Sequence, residues 1–202
     1  MSLWTRLLDK AVSNERALRI VDGLLPLVAD RRVRTMLDLG CGDGRVGRSL
    51  AARLGASFCA FDVEQSAHNP ERVTLFDGKR VNAGPFDLCL LSDVLHHAPD
   101  PEALLREALR VAQVVVIKDH MSFSDRSDHT LLAMDLVGNL PLGVAVTGNY
   151  LSPVAWEQLF ARVTSCPAKL VWPLDVHSPM LRLLTRSEHQ FAARLERTPG
   201  AR

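Results

Sequence analysis

The stretch Leu37-Asp38-Leu39-Gly40-Cys41-Gly42-Asp43-Gly44 decides the fold of this 202-residue chain. An apolar segment, Val33 to Leu39, runs into three glycines at alternate positions, and a helical pattern begins at Arg45. A strand that stops at Gly-x-Gly-x-Gly in front of a helix brings bare backbone close to a ligand, because glycine has no Cβ to block the approach. The helix behind it offers unpaired N–H groups and the positive end of its dipole. Asp38 adds a carboxylate two residues before the first glycine. A negative charge there suits a cationic, ammonium-bearing ligand and repels a pyrophosphate.

The turn resembles motif I of the class I S-adenosylmethionine-dependent methyltransferases, matched at Asp38, Gly40, Gly42 and Gly44. A competing pattern overlaps it. Gly42-Asp43-Gly44-Arg45-Val46-Gly47 spells the dinucleotide fingerprint G-x-G-x-x-G, and Asp62 lies at about the right distance downstream for a ribose contact. In that register, however, the glycines begin three residues after the strand's last apolar residue, and Asp38 would sit beneath the phosphates. A glycine-rich turn without a ligand is the remaining alternative.

The length fits one domain with a full α/β core, and a hydrophobic share of 47% excludes disorder. A net charge of +1 gives no support for a nucleic-acid or acidic-membrane partner. The arginines between Arg6 and Arg34 are interleaved with Asp9, Glu15, Asp22 and Asp30, the pattern of a solvated helix face. Cys41, Cys59, Cys89 and Cys166 form no C-x-x-C pair, and the first three read as small buried hydrophobes rather than disulfide or zinc ligands. No apolar run reaches the length of a membrane span and no signal-peptide pattern opens the sequence, so a cytoplasmic protein is expected.

Helical spacing over Leu3 to Leu27 predicts one or two N-terminal helices, with Asn14 a point of interruption and Pro26 an end or bend. Apolar strands are predicted at Val33–Leu39, Ala56–Val63, Arg72–Phe76, Phe86–Leu91 and Gln113–Ile117. Helices are predicted from Arg45 to Leu54 and, behind the Asp100-Pro101 cap, through Ala112. Strands alternating with helices mean a doubly wound, mostly parallel α/β sheet. Gly78 to Pro85 is too short for a crossover helix, so an irregular link is expected there. A helix at Asp128–Val137, a loop through Leu151 and a Ser152-Pro153-capped helix to Val163 follow; Lys169–Val176 and His189–Leu195 then form an antiparallel pair. The resemblance implies a seven-stranded Rossmann-like sheet ending in such a reversed strand.

Ligands bind beyond the carboxyl ends of such strands, near the topological switch point. Those ends hold Asp38, Asp62, Asp77, Ser92-Asp93 and Asp119-His120. Asp62 would accept both ribose hydroxyls, and Asp77-Gly78 would serve adenine, although an Asp-Gly turn explains the same letters without a ligand. The run from Phe86-Asp87-Leu88 through Ser92-Asp93-Val94-Leu95-His96-His97 to Asp100-Pro101 and Leu104-Leu105-Arg106-Glu107 resembles the small-molecule "type 11" branch of the family. No Asn-Pro-Pro-Tyr or Asp-Pro-Pro-Tyr occurs, which disfavours adenine modification. The resemblance implies S-adenosyl-L-methionine as the only cofactor. Its contacts would be Asp38, Gly40, Cys41, Gly42, Gly44, Asp62, Val63, Asp77, Gly78 and Ser92.

For catalysis, His120 and His97 stand out, since imidazole titrates near neutrality and can take a proton from an attacking hydroxyl or amine. Adjacent side chains diverge, so at most one of His96 and His97 faces the site; no metal is expected. Asp128 and Asp135, seven apart, read as a solvated helix face. Residues 1–30 and 121–152 are expected to cap a small-molecule acceptor, with Met121, Phe123, Met134, Leu140 and Tyr150 as its apolar wall. A non-catalytic binding protein and, further off, an NAD(P)-dependent oxidoreductase are the alternatives. Neither the acceptor nor the methylated atom is encoded legibly.

Overall fold

The computed structural model describes residues 14–66, 69, 73–136, 148–177 and 186–200 in full, and the backbone of 3–13 and 137–139. Positions Arg72 and Leu140, and the side chains of Leu3, Leu7, Leu8 and Val12, lie outside the described residues. Seven strands, β1 (Thr35–Leu39), β2 (Ser57–Asp62), β3 (Thr74–Leu75), β4 (Phe86–Ser92), β5 (Ala112–His120), β6 (Lys169–Val171) and β7 (Gln190–Glu196), form one sheet of order β3-β2-β1-β4-β5-β7-β6. The first five run parallel, and β7 is antiparallel to both β5 and β6. The doubly wound sheet with a reversed late strand is the expected one, and its order reverses between β1 and β4.

Side-chain alternation splits the core into two layers. Leu37, Leu39, Cys89, Leu91, Val115, Ile117, Ala193 and Leu195 face α3 (Pro101–Val111) and α5 (Pro153–Val163). Met36, Leu88, Leu90, Val114, Val116 and Ala192 face α1 (Leu3–Val28) and α2 (Arg45–Leu54). The N-terminus is one helix, not two: Asn14 does not break it, and Pro26 falls in its last turn. Ala17, Ile20, Val21, Leu24, Leu27 and Val28 make its buried stripe, so this half of α1 is a core element. Buried Arg194 on β7 ties down its C-terminal end, donating to the Leu27 carbonyl at 2.9 Å and pairing with Asp30.

As expected, α3 and α5 are capped by Asp100, accepting from Ala103 N–H at 2.9 Å, and Ser152, accepting from Ala155 N–H at 3.2 Å. The link between β3 and β4 contains no helix. Glu107 of α3 instead accepts the Val81 N–H at 2.6 Å while Arg110 donates to the Val81 carbonyl at 2.8 Å. With β3 only two residues long and no helix in this link, one side of β2 is thinly covered. Cys59, expected to be buried, is therefore exposed. β6 stops at Val171 rather than Val176, because Pro173 has no N–H for the ladder. α4 spans Asp125–Asn139, longer than expected. Among the described residues, no helix is long and apolar enough to cross a membrane.

Candidate active site

The three motif glycines all adopt positive φ, at 74°, 52° and 70°, but for different neighbours. A Cβ on Gly40 would lie 2.7 Å from Val94, and one on Gly44 would lie 2.4 Å from Arg48. A Cβ on Gly42 would meet no protein atom within 4 Å. Gly40 and Gly44 thus serve packing, and Gly42 alone presents open backbone. Two residues that sequence reasoning missed brace this turn. Arg48 donates to the Asp43 carbonyl at 2.7 Å and to Asn69 Oδ1 at 2.9 Å, and Asn69 Nδ2 donates to the Gly42 carbonyl at 3.1 Å. Arg48 had a readable signal, one turn into α2 behind Gly44; Asn69 had none.

Asp38 is buried beneath the turn. Its Oδ2 would lie 2.0 Å from a Cβ on Gly47, so the glycine of α2 makes room for the carboxylate itself. Burial, then the neighbouring Asp62 and Asp43, push the Asp38 carboxyl up to about 7. Asp62 ends β2 and accepts the Gly42 N–H through Oδ2 at 2.7 Å and the Val63 N–H through Oδ1 at 2.7 Å. Each oxygen keeps a further lone pair. Asp77 accepts the Lys79 and Arg80 N–H groups at 2.8 Å each, an Asx turn that holds its carboxyl below the usual range. A Cβ on Gly78 would lie 3.5 Å from Cγ1 of the exposed Val63. Buried Cys41 has its thiol pushed up by desolvation and Asp38, so it packs rather than reacts.

A second polar cluster lies beyond β4 and β5. The β5 strand continues past Ile117 into Lys118, Asp119 and His120, all buried. Lys118 pairs with Asp93, which follows Ser92 in the left-handed region at φ 58° and also accepts from Arg16 at 3.0 Å. Asp119 makes its shortest contacts to groups other than the His120 ring. Its Oδ1 accepts the His120 backbone N–H at 2.8 Å and meets His96 Nδ1 at 2.6 Å, while its Oδ2 accepts the Leu95 N–H at 3.0 Å. His120 Nδ1 stands 3.5 Å from Asp119 and 3.6 Å from Asp93. Burial and the adjacent Lys118 push the His120 ring down.

His96, not His97, is the buried member of the pair. Its Nε2 lies 3.3 Å from Asp135 Oδ2, and Asp135 also accepts the Tyr150 hydroxyl. Asp135 is therefore no solvated residue: α4 turns it inward to oppose His96. Burial works against charge on His96, but Asp119 and Asp135 outweigh it and raise the ring to about 10. His97 is half-buried, and burial followed by His96 lowers it. Beside this cluster a cavity of about 310 Å³ is lined by Leu95, His96, Pro101, Tyr150, Leu151 and Trp156. Trp156 is fixed by donating to the His120 carbonyl at 2.9 Å. Of the expected acceptor wall, Tyr150 lines this cavity, Met121 is in the core, and Phe123 is exposed with its ring 6.2 Å from Trp172.

A family model described as a methyltransferase domain matches residues 12–163. The chain belongs to the class I S-adenosylmethionine-dependent methyltransferases. Among curated members, it is 28% identical to the ubiquinone biosynthesis O-methyltransferase of Thiobacillus denitrificans over 114 residues, covering 50% of this chain and 47% of that one. It is 33% identical to the Aromatoleum aromaticum enzyme of the same name over 82 residues, covering 34% and 35%. The matches thus span about half or less of these relatives' length.

Among solved methyltransferases, the plantazolicin methyltransferase BpumL in complex with S-adenosylhomocysteine aligns with TM-score 0.61 and 17% identity, over 98% of this chain and 91% of that one. The Synechocystis magnesium protoporphyrin IX methyltransferase with the same bound product aligns at 0.60 and 15%, over 94% and 87%. Likeness at that identity establishes the fold. The residues here also fit the family's cofactor: open backbone at Gly42 and buried Asp38 with its neutral form favoured make a place for a ligand that brings its own positive charge.

Proposed function

We propose that this methyltransferase moves a methyl group from S-adenosylmethionine to a hydroxyl of a small, apolar acceptor, with nitrogen or carbon as less favoured acceptor atoms. The observation that carries the reading is the pairing of two spaces at the carboxyl ends of the strands. One lies over Gly42, whose N–H is held by Asp62, and the other is the largely apolar cavity beside His96 and Tyr150. The relatives' names point toward oxygen.

In this assignment Asp62 directs its remaining lone pairs to the ribose hydroxyls, and its bond to Gly42 N–H presets the loop. Val63 and Gly78 give adenine an apolar floor, with the Asp77 oxygen left over from its turn beside them. Asp38, Gly40, Cys41, Gly44 and Ser92 frame the methionine end, Asp38 as counter-charge to the ammonium. When bound, the cofactor supplies a methyl already activated on a sulfonium, so positioning provides much of the acceleration. Deprotonation of the acceptor is assigned to His120 in preference to His97. The end of β5 fixes His120, its Nδ1 makes no hydrogen bond among the described residues, and its lowered pKa keeps the ring neutral and able to accept a proton.

The test is product formation from S-adenosylmethionine with a panel of apolar phenols, alcohols and amines. Equimolar S-adenosylhomocysteine and methylated phenol or alcohol are expected. His120→Ala should lower turnover roughly 10²–10⁴-fold with cofactor affinity intact. Tight S-adenosylmethionine binding without turnover on any acceptor would favour the non-catalytic reading. Preferential binding of NADP would overturn the cofactor assignment.

A further inference from the structure

His96, His97 and Asp135 come from two separated parts of the chain, the segment after β4 and the middle of α4. One ligating atom of each lies within 4.8 Å of the others. We propose that these three side chains form a binding site for one divalent first-row transition metal ion of the zinc type, at the edge of the acceptor cavity. Two imidazoles and one carboxylate are the donor set such ions prefer over magnesium or calcium.

The geometry supports an ion more specifically than the residue types do. His96 Nε2 and Asp135 Oδ2 stand 3.3 Å apart. Two ligands each about 2.0–2.1 Å from a tetrahedral ion are separated by roughly this distance. His97 contributes a buried Nδ1 that makes no hydrogen bond among the described residues. The outer layer is built as metal sites require. The far nitrogen of His96 rests on the Asp119 carboxylate at 2.6 Å, and Asp119 is pinned by the N–H groups of Leu95 and His120. That carboxylate–imidazole arrangement fixes ring orientation and increases ligand basicity. Asp135 is oriented in turn by the Tyr150 hydroxyl.

Three protein ligands leave one position open, and His96 and Tyr150 both border the cavity. The ion's role rests on the acceptor reading above. A hydroxyl coordinated there is made more acidic, gives up its proton to the assigned base more readily and presents oxygen as the nucleophile. Metal binding itself does not depend on that reading.

The experiment uses full-length protein freed of metal by chelator and titrated with Co²⁺, followed by visible ligand-field absorption and by metal analysis after gel filtration. One Co²⁺ per chain is expected, displaced by Zn²⁺. His97→Ala and Asp135→Asn should each abolish the absorption bands or weaken binding at least about tenfold, and Asp119→Asn should weaken it roughly 10–100-fold. His129→Ala, an exposed histidine on the same helix as Asp135, should change nothing. S-adenosylhomocysteine binding to each variant reports whether the fold is intact, and His97, being half-buried, tolerates truncation best. Substoichiometric Co²⁺ on the wild type, or full binding by folded His97→Ala and Asp135→Asn, overturns the site. Methyl transfer undiminished by chelator with no bound metal would overturn the site and leave the proposed function standing. Stoichiometric metal on a protein that methylates nothing would do the reverse.

Discussion

Replacing Asp38 by asparagine keeps the side chain's shape and removes its charge from beneath the glycine turn. In the folded protein this carboxyl titrates at about 7 instead of 3.8. At about 1.4 kcal/mol per pH unit, holding it ionised costs the ligand-free protein about 4 kcal/mol by pH 8. The sign follows from proton counting. Between the unfolded and folded pKa values the native state holds a proton that the unfolded chain has released, so wild-type stability falls as pH rises toward 7 and then levels off. The amide of the variant does not titrate and has no such dependence. The stability gain of Asp38→Asn should therefore be near zero at pH 3, under about 2 kcal/mol at pH 5, and approach about 4 kcal/mol at pH 8. Cofactor binding should change in the opposite sense, because the variant cannot balance the ligand's ammonium. Urea unfolding across that pH range, with calorimetric titration of S-adenosylhomocysteine at pH 8, measures both. Parallel stability–pH curves for the two proteins, or unchanged affinity, would refute the reasoning.

Other substitutions probe the remaining parts. Asp62→Ala removes the ribose acceptors and the tether on Gly42 N–H, so S-adenosylhomocysteine affinity measured by calorimetry should drop by about 2–4 kcal/mol. Gly47→Ala drives a methyl into the Asp38 carboxylate and should lower stability to urea by about 1–3 kcal/mol. Adding Asp38→Asn should not relieve that clash, since the amide fills the same space. Lys118→Met removes the buried cation nearest Asp93 and should cost roughly 3 kcal/mol in unfolding experiments, much of it recovered by adding Asp93→Asn.

The cofactor half was legible because its signals are local. Alternation and helical spacing predicted the strands and helices around Asp38 and Asp62, and the short link at Gly78–Pro85 predicted its own irregularity. The acceptor half was not, because its contacts join residues far apart in the chain. Asp135 looks like an exposed helix acid until α4 is placed against His96, a pairing across 39 positions that no periodicity reports. The spacing singled out His97 rather than His96, and only packing reveals His96 as the buried ring. β5 was predicted to end at Ile117 because Lys118, Asp119 and His120 are polar; their burial depends on Asp93, Arg16 and His96 arriving from elsewhere. Likewise Gly40 and Gly44 pack on Val94 and Arg48 while Gly42 faces open space, a difference that three identical letters hide and only the folded chain reveals.

That distinction provides the most direct measurement: calorimetric titration of S-adenosylhomocysteine into the wild type and Gly42→Ala, with urea unfolding of both. The new methyl meets no protein atom, so the cost to folding is the left-handed backbone strain of about 1–2 kcal/mol, and the variant stays folded. If the cofactor lies over this turn, the wild type binds one equivalent and the folded variant binds at least about tenfold more weakly, because the methyl takes the ligand's space. Equal affinity for the two proteins would contradict the placement of the cofactor on which the whole account rests.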